Sequence, residues 1–248
     1  MPKEWFPLES NPDVLNGYLK KFGLLNPKVQ FCDVFSLESE LFAMVPRPIR
    51  AMILLHPITR EGELYDKMLA MNQTTEAKEF MEKNEFFFSK QTIGNACGTM
   101  AILHALLNNL DYLGEVEKDS PFEILLNRFK DAEGQKTTTE RRETTPERLA
   151  KLIESDDLLD RVHRMASTEG VTENQSIDAD IDLHFVCFVR VNGRCVELDG
   201  RKPFPLLHGA CTDDESFANA AAEAIRLKMK QDPESLRFNI IALSEIRN

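Results

Sequence analysis

The chain has 248 residues, 42% of them apolar and 29% charged, with 30 Lys and Arg against 41 Asp and Glu. This is the composition of an ordinary globular protein, and a net charge of −11 argues against a general nucleic-acid binder, which needs clustered Lys and Arg. The longest aliphatic run, Ala51 to Leu55, is too short to span a bilayer, and Met1 to Trp5 leads into no signal core.

A cytosolic or nuclear location with no membrane partner is therefore expected. Cysteines at 32, 97, 187, 195 and 211 are odd in number and show no Cys-x-x-Cys spacing, so they are expected to be reduced thiols rather than a disulfide framework or a zinc site. Asn11-Pro12 places a cap and an N1 proline before a helix over Asp13 to Phe22, which Gly23 ends. Val29 to Phe35 reads as a strand and Ser36 to Ala43 as a short helix stopped by Pro46 and Pro48. Arg50 to His56, aliphatic between prolines, reads as a buried strand. Helical patterns follow over Glu61 to Met71 and Thr75 to Asn84, then Phe86-Phe87-Phe88 as a strand leading to Gln91.

Gln91-Thr-Ile-Gly-Asn-Ala-Cys97-Gly runs into Thr99 to Leu110, whose apolar residues point in nearly every direction around a helix. A helix apolar all round belongs in the interior. Cys97 falls at its start, where unpaired N–H groups carry partial positive charge and a thiol ionises more readily than a free one. From this stretch alone Cys97 reads equally as a buried structural cysteine or as a nucleophile.

Pro121 to Asp131 has amphipathic helical spacing, Gly134 to Thr145 is polar and reads as a surface loop or insertion, and Thr145-Pro146 starts a helix carrying Leu149, Leu152 and Ile153. A short turn is expected over Asp156 to Arg161. Met165 to Asp182 then holds five acids (Glu169, Glu173, Asp178, Asp180, Asp182) and no Lys or Arg, a long connection of the kind that is functional or disordered. Leu183 to Val191 and Arg194 to Asp199 read as a hairpin across the Asn192-Gly193 type I′ turn, followed by a loop from Gly200 to Pro205. Asp213 to Met229 is a helix and Phe238 to Leu243 a last strand. With no repeat and no linker dividing two cores, residues 1–248 are expected to form one domain.

A two-residue loop at Asn192-Gly193 makes His184 and Asp199 diagonal neighbours on one face, roughly 7–8 Å apart at the backbone, which their side chains can close. They could be a structural polar pair at a strand end. Beside Cys97 they instead supply what a thiol nucleophile requires: an imidazole to take its proton and a carboxylate to orient that imidazole. Gln91, six residues before Cys97, can offer a side-chain amide to an oxyanion, with the Cys97 backbone N–H as the second donor. Among the other histidines, His104 points down the core, His56 and His208 have no acidic partner in sequence, and His163 reads as a surface residue. A metal site of His184, Cys187 and Cys195 is disfavoured because strand positions 184 and 187 face opposite ways.

These residues resemble the ubiquitin C-terminal hydrolases, cysteine peptidases of family C12. Four stretches carry the resemblance: Trp5-Phe-Pro-Leu-Glu-Ser-Asn-Pro12, Gln91 to Gly98, Asp182-Leu-His184-Phe, and Glu197-Leu-Asp199-Gly-Arg-Lys-Pro-Phe-Pro205. Nothing follows the final strand that could form a C-terminal extension, so the chain looks like a short, single-domain member. The resemblance implies a fold of the α+β type, a central, mostly antiparallel sheet with helices on both sides, papain-like and with a knotted backbone. It implies Cys97 as nucleophile, His184 as proton acceptor and donor, Asp199 as its orienting partner and Gln91 as oxyanion donor, with no metal or cofactor. The implied substrate is ubiquitin, with a ubiquitin-like modifier or a ubiquitin-buffering role as alternatives, and the protein is expected to be a monomer that binds no nucleic acid. The implied ubiquitin contacts are Pro7, Leu8, Glu9, Ser10, Asn11 and Pro12; Ser167, Thr168, Glu169, Gly170, Val171, Thr172, Glu173 and Asn174 in the crossover loop over the substrate tail; and Ser235, Leu236, Arg237, Phe238, Asn239 and Ile240. The acids of that loop are expected to attract arginines near the ubiquitin tail. Two departures stand out: Gly94 replaces a serine common in the family, and the polar stretch from Asp131 to Thr145 is longer than in short relatives.

Overall fold

The computed structural model describes residues 3–134, 145–170 and 182–246. In chain order these residues form α1 (Pro12–Phe22), β1 (Leu24–Pro27), β2 (Val29–Asp33), α2 (Ser39–Phe42), β3 (Ile49–Pro57), α3 (Arg60–Lys83), α4 (Cys97–Leu107), a 3-10 turn (Leu110–Tyr112), β4 (Gly114–Val116), α5 (Pro121–Gly134), α6 (Thr145–Glu154), α7 (Asp157–Ser167), β5 (Leu183–Val191), β6 (Arg194–Leu198), β7 (Leu206–Ala210), α8 (Asp214–Met229) and β8 (Asn239–Glu245). Six strands make one antiparallel sheet in the order β2-β8-β3-β5-β6-β7, and β1 pairs with β4 apart from it.

The sheet is covered on both faces, as expected. One face carries Ala51, Ile53, Phe185 and Cys187 into a core shared with α1, α4, α5 and α7; the other carries Met52, Leu54, Val186 and Phe188 against Phe217, Ala221 and Ile225 of α8. Strands buried on both faces read as the continuous apolar runs seen at β3 and β5 rather than as alternation. Helix α4 lies inside the first core, every residue from Gly98 to Leu107 buried.

Several expectations are corrected. The two helices expected over Glu61 to Asn84 are the single helix α3: no Gly or Pro interrupts Met71 to Thr75, and Gln73 lies in the middle, exchanging 2.7 Å hydrogen bonds with the backbone of Leu207. Phe86-Phe87-Phe88 is not a strand: the Asn108 side chain takes the place of a sheet partner, accepting from Phe87 N at 2.8 Å and donating to Phe87 O at 2.9 Å. The turn expected at Asp156 is the N-cap of a full helix: its carboxylate accepts from Leu159 N at 2.7 Å, and the amphipathic face of Leu159, Val162, His163 and Ala166 carries α7 on to Ser167. The acidic connection therefore begins only after Ser167. Strands β1, β4 and β7 were not expected, and α2 is half the length anticipated. Most of the polar stretch from 134 to 145 lies outside the described residues.

Candidate active site

The site forms where the start of α4 meets the β5–β6 hairpin. Asn95 sits at φ +59° and turns the chain into α4, so Cys97 is the first helical residue. Gly94 is clamped by the chain's own beginning: its N–H donates to Lys3 O at 2.9 Å and its carbonyl accepts from Trp5 N at 3.0 Å. A Cβ at Gly94 would come within 2.8 Å of Glu4 Cγ, so the glycine lets this bridge close. At Gly98 the helix packs tightly on Leu8, whose Cβ would lie 3.0 Å from an added Cβ.

The hairpin has the expected register. Asn192 and Gly193 adopt φ +42° and +76°, as a type I′ turn requires, and Val191 faces Arg194 through to Cys187 facing Leu198. Continuing that pairing puts His184 and Asp199 on one face, and the side chains meet: His184 Nε2 donates to Asp199 Oδ1 at 2.8 Å, both groups buried. Asp199 Oδ1 also accepts from Arg201 N at 2.9 Å, and Oδ2 lies 3.0 Å from Lys202 Nζ. The other ring nitrogen, Nδ1, is left for the Cys97 thiol, to which the His184 ring is hydrogen-bonded.

Electrostatics follow from this geometry. Burial pushes the Cys97 thiol up, but the His184 hydrogen bond and charge, with the N–H groups of Phe185 and Gly98, bring it below its ordinary value. Burial alone would lower His184; its hydrogen bonds to Asp199 and Cys97 and their charges raise it to about 9. Burial opposes ionisation of Asp199, yet His184, Lys202 and the Arg201 N–H hold it well below the usual carboxylate range. The arrangement is thus a thiolate–imidazolium pair backed by a carboxylate. By contrast Cys187 and Cys195, buried without such partners, are raised.

Gln91 is held beside the same hairpin, its backbone N donating to Gly200 O at 2.9 Å. Its Nε2 donates to Ile93 O at 3.1 Å, which leaves a second amide proton free of that bond, and its buried Oε1 has no partner among the described residues. The stretch Pro7 to Pro12 and the stretch Ser235 to Ile240 come together, joined by Ser10 Oγ and Asn239 Oδ1 at 2.6 Å, on the wall of a cavity of about 840 Å³. Glu9, Ser10, Asn11, Pro12, Phe238, Asn239 and Ile240 line it, and Phe35, 90% exposed, stands at its side. Leu8, Ser167 and Ile240 are themselves buried, while Leu236 is 97% exposed. Glu169 and Asp182 are not free acids, pairing with Lys21 and Arg237 respectively; Val171 to Asn174 lie outside the described residues.

The remaining histidines divide differently from expectation. His104 is structural as read, accepting from Ser89 N at 3.3 Å. His163 is not on the surface: its Nε2 donates to Phe6 O at 2.8 Å, its Nδ1 accepts from Thr99 Oγ1 at 2.8 Å, and the ring stacks on Trp5 at 4.1 Å. His208 lies on β7 and has an acidic partner after all, Glu197 Oε2 at 2.9 Å. His56 stands opposite His184 in the β3–β5 pairing, its ring 5.9 Å away, lowered to about 4 chiefly by burial. Sequence reasoning gives His56 and Lys202 no place beside the relay; the nearness of Lys202 to Asp199 in the chain is a signal for the one, and nothing local signals the other. Among the described residues no cluster of His, Cys, Asp and Glu could hold a metal ion, and no helix is long and apolar enough to cross a membrane.

Comparison with known proteins gives the family of the chain and its fold. The ubiquitin carboxyl-terminal hydrolase 3 of Arabidopsis thaliana is 38% identical over 98% of this chain and 95% of its own length, and a ubiquitin carboxyl-terminal hydrolase of Aplysia californica is 40% identical over 94% and 98%. The Trichinella spiralis UCH37 catalytic domain, solved bound to ubiquitin vinyl methyl ester, shares the fold with a TM-score of 0.69 at 23% identity, over 98% of this chain and 96% of that one. Residues 5–230 match the family described as ubiquitin carboxyl-terminal hydrolase, family 1, and the chain belongs to that family of cysteine peptidases.

Proposed function

We propose that this protein is a deubiquitinating cysteine peptidase that hydrolyses esters, thioesters, amides and short peptides at the C-terminal glycine of ubiquitin through an acyl-enzyme. The observation that carries the reading is the relay of a half-buried Cys97 at the start of α4 with buried His184 and Asp199 of the β5–β6 hairpin. The Cys97 thiolate attacks the carbonyl carbon of the terminal glycine, forming a C–S bond while the carbonyl oxygen takes up charge. The Cys97 N–H at the helix start and the second Gln91 amide proton are the donors for that oxyanion, each of the kind whose loss costs about 3–4 kcal/mol in the barrier. As the tetrahedral adduct collapses, His184 gives its proton to the departing amine or alkoxide. Water then attacks the thioester with His184 as base, and the glycine carboxylate leaves Cys97 as thiolate. The cavity between the Pro7–Pro12 and Ser235–Ile240 stretches is the seat for the folded body of ubiquitin, so that its tail reaches Cys97.

The test is a ubiquitin carrying an electrophile at its C-terminus. One covalent adduct by intact mass is expected for the protein as it stands and none for Cys97→Ala. No adduct, or an adduct that persists in Cys97→Ala, overturns the reading, and parallel incubation with ubiquitin-like modifiers reports the preference.

A further inference from the structure

Behind the carboxylate that orients His184 the structure buries a chain of alternating charges. Lys202 Nζ lies 3.0 Å from Asp199 Oδ2 and donates to Asp66 Oδ2 of α3 at 2.7 Å. Asp66 Oδ1 accepts from Lys228 of α8 at 2.6 Å, and Lys228 lies 2.9 Å from Glu197 Oε1 of β6, whose other oxygen meets His208 of β7. Asp66, Lys228, Glu197 and Asp199 are all buried, and Glu197 is fully so. Each ion needs its neighbours, because one left unpaired in such surroundings is strongly destabilising. Lys202 itself is held at both ends: its N–H donates to Asp199 O at 2.9 Å and its carbonyl accepts from Lys90 Nζ.

The placement of Lys202 is more than packing requires. Asp199 has one oxygen already committed to His184 and Arg201 N, and a carboxylate held only there can swing about its Cα–Cβ and Cβ–Cγ bonds. We propose that Lys202, anchored by Asp66, is a positioning residue for the reaction: it fixes Oδ2 of Asp199 so that Oδ1 stays on His184, and ties α3 and α8 to the catalytic relay. This inference rests on the hydrolase reading above and adds to it a residue that touches neither substrate nor thiol.

The charges facing the His184–Asp199 pair from each packed element set the sign of the expected changes. They are Cys97 and His104 on α4, His56 on β3, Glu63, Asp66 and Lys67 on α3, Lys228 on α8, Glu197 on β6, and Lys90, Arg201 and Lys202 on the adjoining segments. His56 and His104 are each lowered to about 4, chiefly by burial, and so are uncharged near neutrality. Removing the Lys202 cation relieves repulsion on protonated His184, which by charge alone raises its pKa, whereas an Asp199 freed to swing off the ring lowers it; loss of positioning is read as the second.

The experiment measures kcat, KM and the pH profile of kcat/KM on a ubiquitin C-terminal ester for the intact protein, Lys202→Met and Asp66→Asn, each normalised to the fraction that forms the electrophile adduct. In Lys202→Met, kcat is expected to fall about tenfold or more with KM within about twofold, and the alkaline limb to move down, against the direction that loss of a cation gives by charge alone. Lys202→Arg, measured beside them, keeps a cation between Asp66 and Asp199 and is expected to restore both readouts. A limb that stays in place or moves up in Lys202→Met overturns the inference. Should Lys202→Met fail to fold, Asp66→Asn decides it, since loss of the anchor is expected to lower kcat with KM within about twofold, and an unchanged kcat overturns the inference. An active wild type with unmoved limbs overturns this inference only, whereas a wild type that forms no adduct overturns the hydrolase reading with it.

Discussion

Asp199 holds its place through three contacts of different kinds: a side-chain bond to His184, a backbone N–H from Arg201 and the Lys202 cation. Replacing it by Asn leaves a group of the same shape that can no longer stabilise imidazolium, and can present its NH2 to His184 so that the ring takes the wrong tautomer. Asp199→Asn is therefore expected to lower kcat by about 10²-fold or more while ubiquitin binding changes less than about threefold, measured by turnover and by calorimetry with product ubiquitin. Equal losses in both would make the carboxylate structural. The pair of opposed shifts also shapes the pH response. Thiolate is formed below the ordinary range for a thiol, and His184 keeps its proton up to about 9, so kcat/KM should hold a plateau through neutrality and fall on an alkaline limb near pH 9. A limb near pH 6.5 would show that His184 lacks its Asp199 and Cys97 partners in solution.

Two elements that are far apart in sequence position the donors: the segment before α4 and the loop after β6. Gly200 is where they touch, and a Cβ there would lie 2.9 Å from both the Cβ and the backbone N of Gln91. Gly200→Ala is thus expected to push Gln91 off the hairpin and lower kcat/KM about tenfold or more, read in a steady-state assay normalised by adduct formation; an unchanged value would separate Gln91 from oxyanion binding. The same hairpin shows what the sequence makes legible. Asn192-Gly193 fixes a register by local backbone chemistry alone, so the pairing of His184 with Asp199 can be read from the residues themselves. The apolar run of α4 is legible for a similar reason, since burial all round leaves a pattern. Contacts made by side chains acting as strand partners leave none: Asn108 pairing with Phe87, and Gln73 with Leu207, give no local signal, and the segments they order depart from expectation. The buried charge chain is illegible because Asp66, Glu197, Lys202 and Lys228 come from separate stretches, each of which alone looks like solvated charge. His163 escapes for a related reason, its partners Thr99 and Phe6 lying on elements remote in sequence.

Across the whole molecule, three neutral histidines oppose one charged one, and that asymmetry predicts how stability depends on pH. His56, His104 and His163 are each lowered to about 4, chiefly by burial, against about 6.5 in the unfolded chain. Above pH 6.5 they are neutral in both states and contribute no pH dependence. As the pH falls from 6.5 towards 4 the unfolded chain takes up protons that the folded one refuses, and stability declines, by about 3 kcal/mol for each of the fully enclosed His104 and His163 once both values are passed. His184 has the reverse sign: raised to about 9, it contributes stability that is complete below pH 6.5 and is lost as the pH rises through 9. Glu197, lowered to about 2 by Lys228 and His208 against the cost of burial, and Asp199, held well below the carboxylate range, contribute stability that is lost only below about pH 4.5. Near pH 5 the histidines therefore dominate, with His184 protonated in both states, and unfolding should take up between about two and three protons, a slope of about 3–4 kcal/mol per pH unit. Urea unfolding followed by circular dichroism at pH 4.5 to 7 measures that slope directly. His163→Gln should reduce it by about one proton even if it also lowers stability at pH 7 by disrupting the bonds to Phe6 and Thr99. A slope below one proton in the unsubstituted protein would mean that these histidines are not held neutral in the fold.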